Sequence, residues 1–289
     1  MRTQGTHMTK KPIFRQYDPS KVDPEYKSIC DAQSGPSLDA HEFVEGLWTV
    51  YEPYADRHQF LREIQLNFHK RFWEMYLACT LLEIGLNVIM KRSAEGPDVC
   101  VKTESKTIWF EATCRTRGKE GNPDSVPDVM ACSGEFPVDQ IVLRIRDAIK
   151  CKYVDKYSQH KNKGIIQESD VYVVAVNTWQ AFPSGLDIDP HPLYRAVCGV
   201  GSQKIVFDST NFEPIDLTYE EKTIIPKSSG EPVRTDIFSD EEFKYLSAVL
   251  WSAANAGNPP DVLGKDFRLA YNPLAVNSIP EDLLKRRTS

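Results

Sequence analysis

Two carboxylates on neighbouring extended segments are the residues best placed for chemistry in this sequence. Asp98 stands in Gly96-Pro97-Asp98-Val99-Cys100-Val101, and Glu111 in Ile108-Trp109-Phe110-Glu111-Ala112-Thr113. Strand side chains alternate between faces, so Glu111 and Thr113 share one face. If runs 99–103 and 108–114 pair as a hairpin through the Thr-Glu-Ser-Lys turn at 103–106, Asp98 lies across from about Ala112. The two carboxylates then converge at one end. Oxygen ligands of this kind suit Mg²⁺ or Mn²⁺, and Mg²⁺ uses few protein carboxylates and keeps several waters. Such an ion polarises a phosphodiester and activates a water. Pro-Asp by itself carries little weight, because it recurs at 123–124, 127–128 and 260–261. Only the copy at 97–98 lies between two strand-like runs with an acid on the second. The plain structural alternative is a turn Asp and an exposed strand Glu.

Glu74 is the only charge in Phe-Trp-Glu-Met-Tyr-Leu-Ala-Cys-Thr-Leu-Leu, residues 72–82. A helix that is apolar all round is buried, and a buried carboxylate is costly unless it is paired or binds metal. Glu74 is therefore either ion-paired, with an Arg as the natural partner, or a third acid beside Asp98 and Glu111.

A helix Glu, a Pro-Asp, a Glu-x-x on the next strand and then another helix, over about residues 71–177, resemble the PD-(D/E)XK superfamily. That superfamily includes restriction endonucleases, resolvases and defence nucleases. The resemblance implies an α/β restriction-endonuclease-like core, a central mixed sheet flanked by helices, here with C-terminal strand additions. It implies that Asp98 and Glu111 ligate Mg²⁺ or Mn²⁺, with help from the Ala112 carbonyl, and that Glu74 assists the metal shell. The implied activity is metal-dependent hydrolysis of DNA phosphodiesters in restriction, phage defence or DNA processing.

The family pattern places a lysine two residues after the second acid, where this sequence has Thr113. Thr113 can hydrogen-bond the attacking water but carries no charge, so an active enzyme needs a cation from elsewhere. Lys102 lies four strand residues from Asp98, ~13 Å along the strand, and is poorly placed. The helix after the next loop offers more. At about 100° per residue, Ile141, Ile145, Ala148 and Lys152 form one stripe, while Lys150 points the opposite way. Gln140 and Arg144 flank the stripe one turn apart and, with Lys156, could face substrate phosphate. Lys152 could instead snorkel at the core edge, and Arg144 could be an ordinary surface ion-pair residue. Two alternatives to an enzyme stay open. One is an inactive nuclease-like fold that binds DNA or a protein. The other is a structural protein whose acids are simply ion-paired.

The elements that must position these groups follow from periodicity and turn residues. A capped helix starts at 37–42, and a long helical stretch at 57–83 ends before Gly85. Strand-like runs follow at 86–90, 99–103 and 108–114. Residues 118–137 read as a long loop, and 138–160 as a helix. The β-branched run 171–176 reads as a buried strand. A helix near 192–200 precedes short strands near Ile205 and Ile224, and further strands at 245–252 and 267–271. This order indicates a mixed α/β sheet.

With 41% hydrophobic and 26% charged residues among 289, the composition is that of an ordinary globular protein able to bury a core. The net charge of −6 excludes a polycation, yet residues 144–163 hold seven Lys or Arg against Asp147 and Asp155. That run is either a solvated face or a nucleic-acid contact. Tyr153 and Tyr157 beside it could stack on bases, although core packing is the simpler reading, as it is for Trp73, Trp109 and Trp179. Seven cysteines without a C-x-x-C pair point to a reducing compartment and no zinc module. No apolar stretch spans 18 residues and no signal-peptide core is present, which predicts a cytoplasmic protein with no membrane partner. The expected partner is nucleic acid, DNA before RNA, with a homodimer left open. No Walker A, G-x-G-x-x-G, G-x-S-x-G or H-x-x-x-H motif occurs. Met1 to His7 reads as an expression leader before a start at Met8. Residues 1–36 are expected to be that leader plus a flexible arm, and 37–289 a single restriction-endonuclease-like domain.

Overall fold

Asp23 ties the first helices together. In the computed structural model, which describes residues 11–90, 95–128, 136–181, 188–280 and 282–284, one oxygen of Asp23 accepts from the N–H groups of Glu25 and Tyr26 and caps α1 (Pro24–Cys30). Helices α2 (Pro36–Tyr51) and α3 (Arg57–Glu63) follow. The second Asp23 oxygen accepts from Phe68 N at 3.1 Å, at the start of α4 (Phe68–Glu83). The single helical stretch expected over 57–83 is thus two helices. A carboxylate from far upstream satisfies an N–H that a new helix start leaves free. The capped start expected at 37–42 is also displaced: Pro36 opens α2, and its N-cap, Gly35, makes no side-chain bond.

Residues 11–36, read above as an arm, pack against these helices. Ile13 and Tyr26 are completely buried, and Glu45 Oε1 accepts from Ile13 N and Phe14 N at 3.0 and 3.1 Å. A few apolar side chains anchor a mostly polar segment, which is why its average polarity misleads. The leader reading falls on residues 1–10, outside the described residues.

The sheet positions the acids. Its order is β1 (Val88–Ile89), β2 (Val99–Lys102), β3 (Thr107–Cys114), β4 (Val171–Asn177), then two C-terminal strands. β1, β2 and β3 are antiparallel, and Thr103 and Lys106 close the expected hairpin turn. β4 is parallel to β3 and buried along its whole length, as its unbroken apolar run at 171–176 requires. A parallel pair needs a crossover. Here it is α5 (Val138–Ile149), a π-helical turn at Lys150–Tyr157 and α6 (Ser158–Asn162). The helix expected over 138–160 therefore changes winding midway. Tyr153 and Tyr157 are buried there and stack on each other at 5.4 Å.

After α7 (Pro192–Cys198), β5 (Val200–Phe207) and β6 (Pro214–Glu221) form one hairpin, and β7 (Ile224–Pro226) and β8 (Pro232–Arg234) another. β9 (Ala248–Ser252) and β10 (Arg268–Tyr271) complete the six-stranded sheet, β9 parallel to β4 and β10 antiparallel to β9. Side chains alternate across it. Phe110, Val173 and Leu250 pack with α4 on one face, while Tyr172, Val174 and Val249 pack with α5 and α7 on the other. The fold is mixed α/β with a central mixed sheet flanked by helices. Among the described residues no helix is long and apolar enough to cross a membrane.

Candidate active site

The hairpin register decides where the acids go. Val99 pairs with Phe110, so Asp98, one residue before β2, stands opposite Glu111, one place from the Ala112 expected from the turn. Directly opposed residues of an antiparallel pair share a face. Asp98 Oδ2 accepts from Ala112 N at 2.9 Å, which fixes the carboxylate against β3. Glu111 is 5% exposed.

The crossover helix delivers the cation. Ile141, Ile145 and Ala148 are buried against the sheet, and Lys152 continues that stripe into the π-helical turn. Its Nζ lies 2.5 Å from Glu111 Oε1 and 4.0 Å from Asp98 Oδ2. The Tyr172 hydroxyl of β4 donates to the Lys152 carbonyl at 2.9 Å and anchors the turn from below. π-turns of this kind recur at functional sites. Eight residues on, His160 Nε2 lies 3.6 Å from Glu111 Oε2. That exceeds hydrogen-bond length, so among the described residues Oε2 is a buried acceptor with no hydrogen-bond partner. His160 has no motif around it, and only its place on the same helical run as Lys152 could have pointed to it.

Burial opposes charge on Glu111, but His160 and the Lys152 ammonium outweigh it and hold the carboxyl below its ordinary range. Burial likewise opposes the Lys152 charge, and Asp98 and Glu111 overcome it, so the ammonium is held above its ordinary range. Both groups are ionised at neutral pH.

Glu74 is buried on α4. Its Oε1 accepts from the Tyr51 hydroxyl at 3.0 Å, and its Oε2 pairs with Arg71, one turn earlier, which also holds Glu63. The arginine partner that the ion-pair reading of Glu74 expects is thus present, one turn away on the same helix. The cluster adjoins the other acids electrostatically. Burial, then Glu74, and more weakly Asp98 push the Tyr51 hydroxyl well up. Thr113 is buried on β3 opposite Val176. Arg144 donates from Nε to Thr116 O at 3.0 Å and lies 3.8 Å from Asp147. Gln140 borders the loop at Arg117–Asp128, and exposed Lys156 reaches Gln159 at 3.4 Å. The structure thus brings Asp98, Glu111 and Lys152 together. It places Arg144 and Lys156 on other partners and Gln140 at the wall of a separate cavity.

Among the described residues no group of three or more His, Cys, Asp or Glu side chains is placed to hold a metal ion. A hard divalent ion needs only one or two carboxylates beside its waters. Asp98 and Glu111, the latter with an unpartnered buried oxygen, fit that smaller requirement. Asp98 also borders a cavity of about 440 Å³ walled by Ile89, Cys100, Trp109 and Gln167, which neither Glu111 nor Lys152 lines. No protein-family model matches the chain, and no curated protein and no solved structure matches it.

Proposed function

We propose that this chain is a metal-dependent nuclease with a restriction-endonuclease-like core, hydrolysing phosphodiester bonds of DNA in preference to RNA. The observation that carries the reading is the Lys152 ammonium on Glu111, with Asp98 within 4.0 Å. These are the two acids and the cation that the resemblance requires, the cation coming from the crossover helix instead of position 113. The order helix, three-stranded meander, crossover helix, parallel strand supports it. A role in restriction, phage defence or DNA processing rests on the same resemblance.

Asp98 and Glu111 would hold Mg²⁺ or Mn²⁺, which when bound supplies Lewis acidity to the phosphate and lowers the pKa of a water. Lys152 balances two carboxylates that would otherwise repel each other. Its charge, in a largely buried setting, also stabilises the negative charge that grows on phosphate oxygens as the bond breaks. Glu111 orients that ammonium through Oε1. His160 sits beside Oε2 and biases Glu111 toward its charged form.

The test is incubation of the protein with supercoiled, linear duplex and single-stranded DNA, and with RNA, in Mg²⁺ or Mn²⁺. Cleavage that EDTA and Asp98→Ala both abolish is the expected result. Divalent-ion binding without cleavage of any of these substrates would favour the inactive binding module. One observation leans that way: Lys152 already satisfies Glu111 Oε1 within the chain itself.

A further inference from the structure

On the side of α5 away from the sheet, a cavity of about 460 Å³ is bounded by that helix, the π-helical turn and the β7–β8 hairpin. This size is typical of a small-molecule site. Its cations are Arg144, Arg146, Lys150, Lys227 and Arg234. Three of these have carboxylate partners: Arg144 with Asp147, Lys227 with Glu231, and Arg234 with Asp236 and Asp240. Arg146 and Lys150 have none among the described residues.

Arg146 is the unusual group. It is 8% exposed, and its guanidinium makes one hydrogen bond, from Nε to the Arg234 carbonyl at 2.6 Å. It lies over the Phe243 ring at 5.5 Å, while Nη1 is buried with no hydrogen-bond partner among the described residues. Burial pushes it down to about 10, against the pull of Asp236 and with the repulsion of Arg234. A buried cation without an anion is costly, and it is retained where something completes it. The guanidinium fork matches phosphate oxygens, and a nearby ammonium adds a second positive contact. The walls show what size of ligand fits. Asp124 accepts from Ser228 N and Oγ at 2.8 and 3.0 Å, tying the loop before α5 to the tip of the β7–β8 hairpin. Leu143, Val154 and Phe243 supply apolar surface. A bounded, partly apolar cavity suits a discrete ligand better than a continuous strand.

We propose that this cavity is a binding site for a small phosphate-bearing molecule, with the phosphate on Arg146 and Lys150 and the remainder against Leu143, Val154 and Phe243. The site is separate from the acids at Asp98 and Glu111 and stands independently of the nuclease reading.

Thermal unfolding of the full chain in EDTA tests it, with inorganic phosphate, pyrophosphate and AMP as probes, and NaCl and citrate at matched ionic strength as controls. The expected result is a saturable rise in Tm with at least one phosphate probe, roughly 4–5 °C at about a hundredfold excess over Kd. Neither control should reproduce it. Arg146→Met should abolish the rise while leaving the unliganded protein at least as stable as wild type. If that variant does not fold, Lys150→Ala, at an exposed position, should weaken probe binding about tenfold or more. No saturable shift with any probe overturns the proposal. So does an equal shift with citrate, or unchanged probe binding in the variants that fold.

Discussion

Lys152 and Glu111 are 41 positions apart in the sequence, yet Nζ and Oε1 are 2.5 Å apart. The contact joins the crossover helix to the strand that carries the second acid. It puts a cation where the neutral Thr113 cannot supply one.

If the protein cleaves DNA, Lys152→Ala should therefore lower the rate by roughly 10²–10³-fold, the usual loss when a transition-state charge contact is removed. Lys21→Ala, which removes an exposed lysine before α1, should leave the rate close to wild type. Single-turnover cleavage measures both. Equal small effects would show that the Lys152 contact does not serve catalysis.

Removing either acid should abolish divalent binding, as read by Mn²⁺ titration calorimetry on Asp98→Ala and Glu111→Ala. Two close carboxylates suggest at first that deleting one relieves repulsion and stabilises the fold. The ion pair reverses that expectation. Glu111→Ala strands a largely buried ammonium with only Asp98 at 4.0 Å, and should destabilise by about 3 kcal/mol. Asp98→Ala loses the acceptor for Ala112 N–H and should cost about 1–2 kcal/mol. Unchanged Mn²⁺ heats in both variants would remove the metal site.

Much of this was legible in the sequence, for physical reasons that can be named. The β2–β3 hairpin announces itself by alternation and a polar turn, but a turn leaves the register open by one residue, so Asp98 faces Glu111 and not Ala112. The phase of Ile141, Ile145 and Ala148 carries on to Lys152 even though the winding changes at Lys150. The change itself leaves no periodic signature. The break between α3 and α4 falls in Ile-Gln-Leu-Asn, residues 64–67, without Gly or Pro, and depends on Asp23 some 45 positions away. Arg71 as the partner of Glu74 was foreseeable in type. His160 and the buried, half-satisfied Arg146 depend on long-range packing that no local pattern records.

The pH dependence of the Lys152–Glu111 pair follows from its two shifts. Glu111 is held below its ordinary 4.5 in the folded protein. Its contribution is present above that value and is lost as pH falls through the lower folded value. Lys152 is held above its ordinary 10.5, so its contribution is complete below that value and is lost as pH rises through the higher folded one. In a His160→Gln background, which removes the ring beside Glu111 Oε2, urea midpoints with and without the Lys152→Met, Glu111→Gln pair of changes should therefore differ by a constant amount from about pH 5 to about pH 10. The protein that keeps Lys152 and Glu111 should lose ground outside that window. A difference that drifts steadily across neutral pH would mean that the pair is not ionised as described.

Glu74 separates a structural role from a ligand role most cleanly. Its carboxylate is committed to Tyr51 and to Arg71, and Arg71 keeps Glu63 as a second partner. Glu74→Gln preserves shape and the Tyr51 contact but removes a buried charge from Arg71. The remaining Glu63 pair should limit the loss to about 1–3 kcal/mol, less than for a fully stranded ion. Mn²⁺ affinity of the folded variant should stay within about threefold of wild type, because the altered charge acts on Asp98 only at a distance. A group that helps hold a metal would instead cost about 10–100-fold in affinity. Calorimetric titration of Glu74→Gln beside Asp98→Ala, at a temperature where both are folded, tells these apart. An affinity loss in the larger range would place Glu74 in the metal shell despite its arginine, and the smaller loss would leave it in the cluster that ties α4 to α2 and α3.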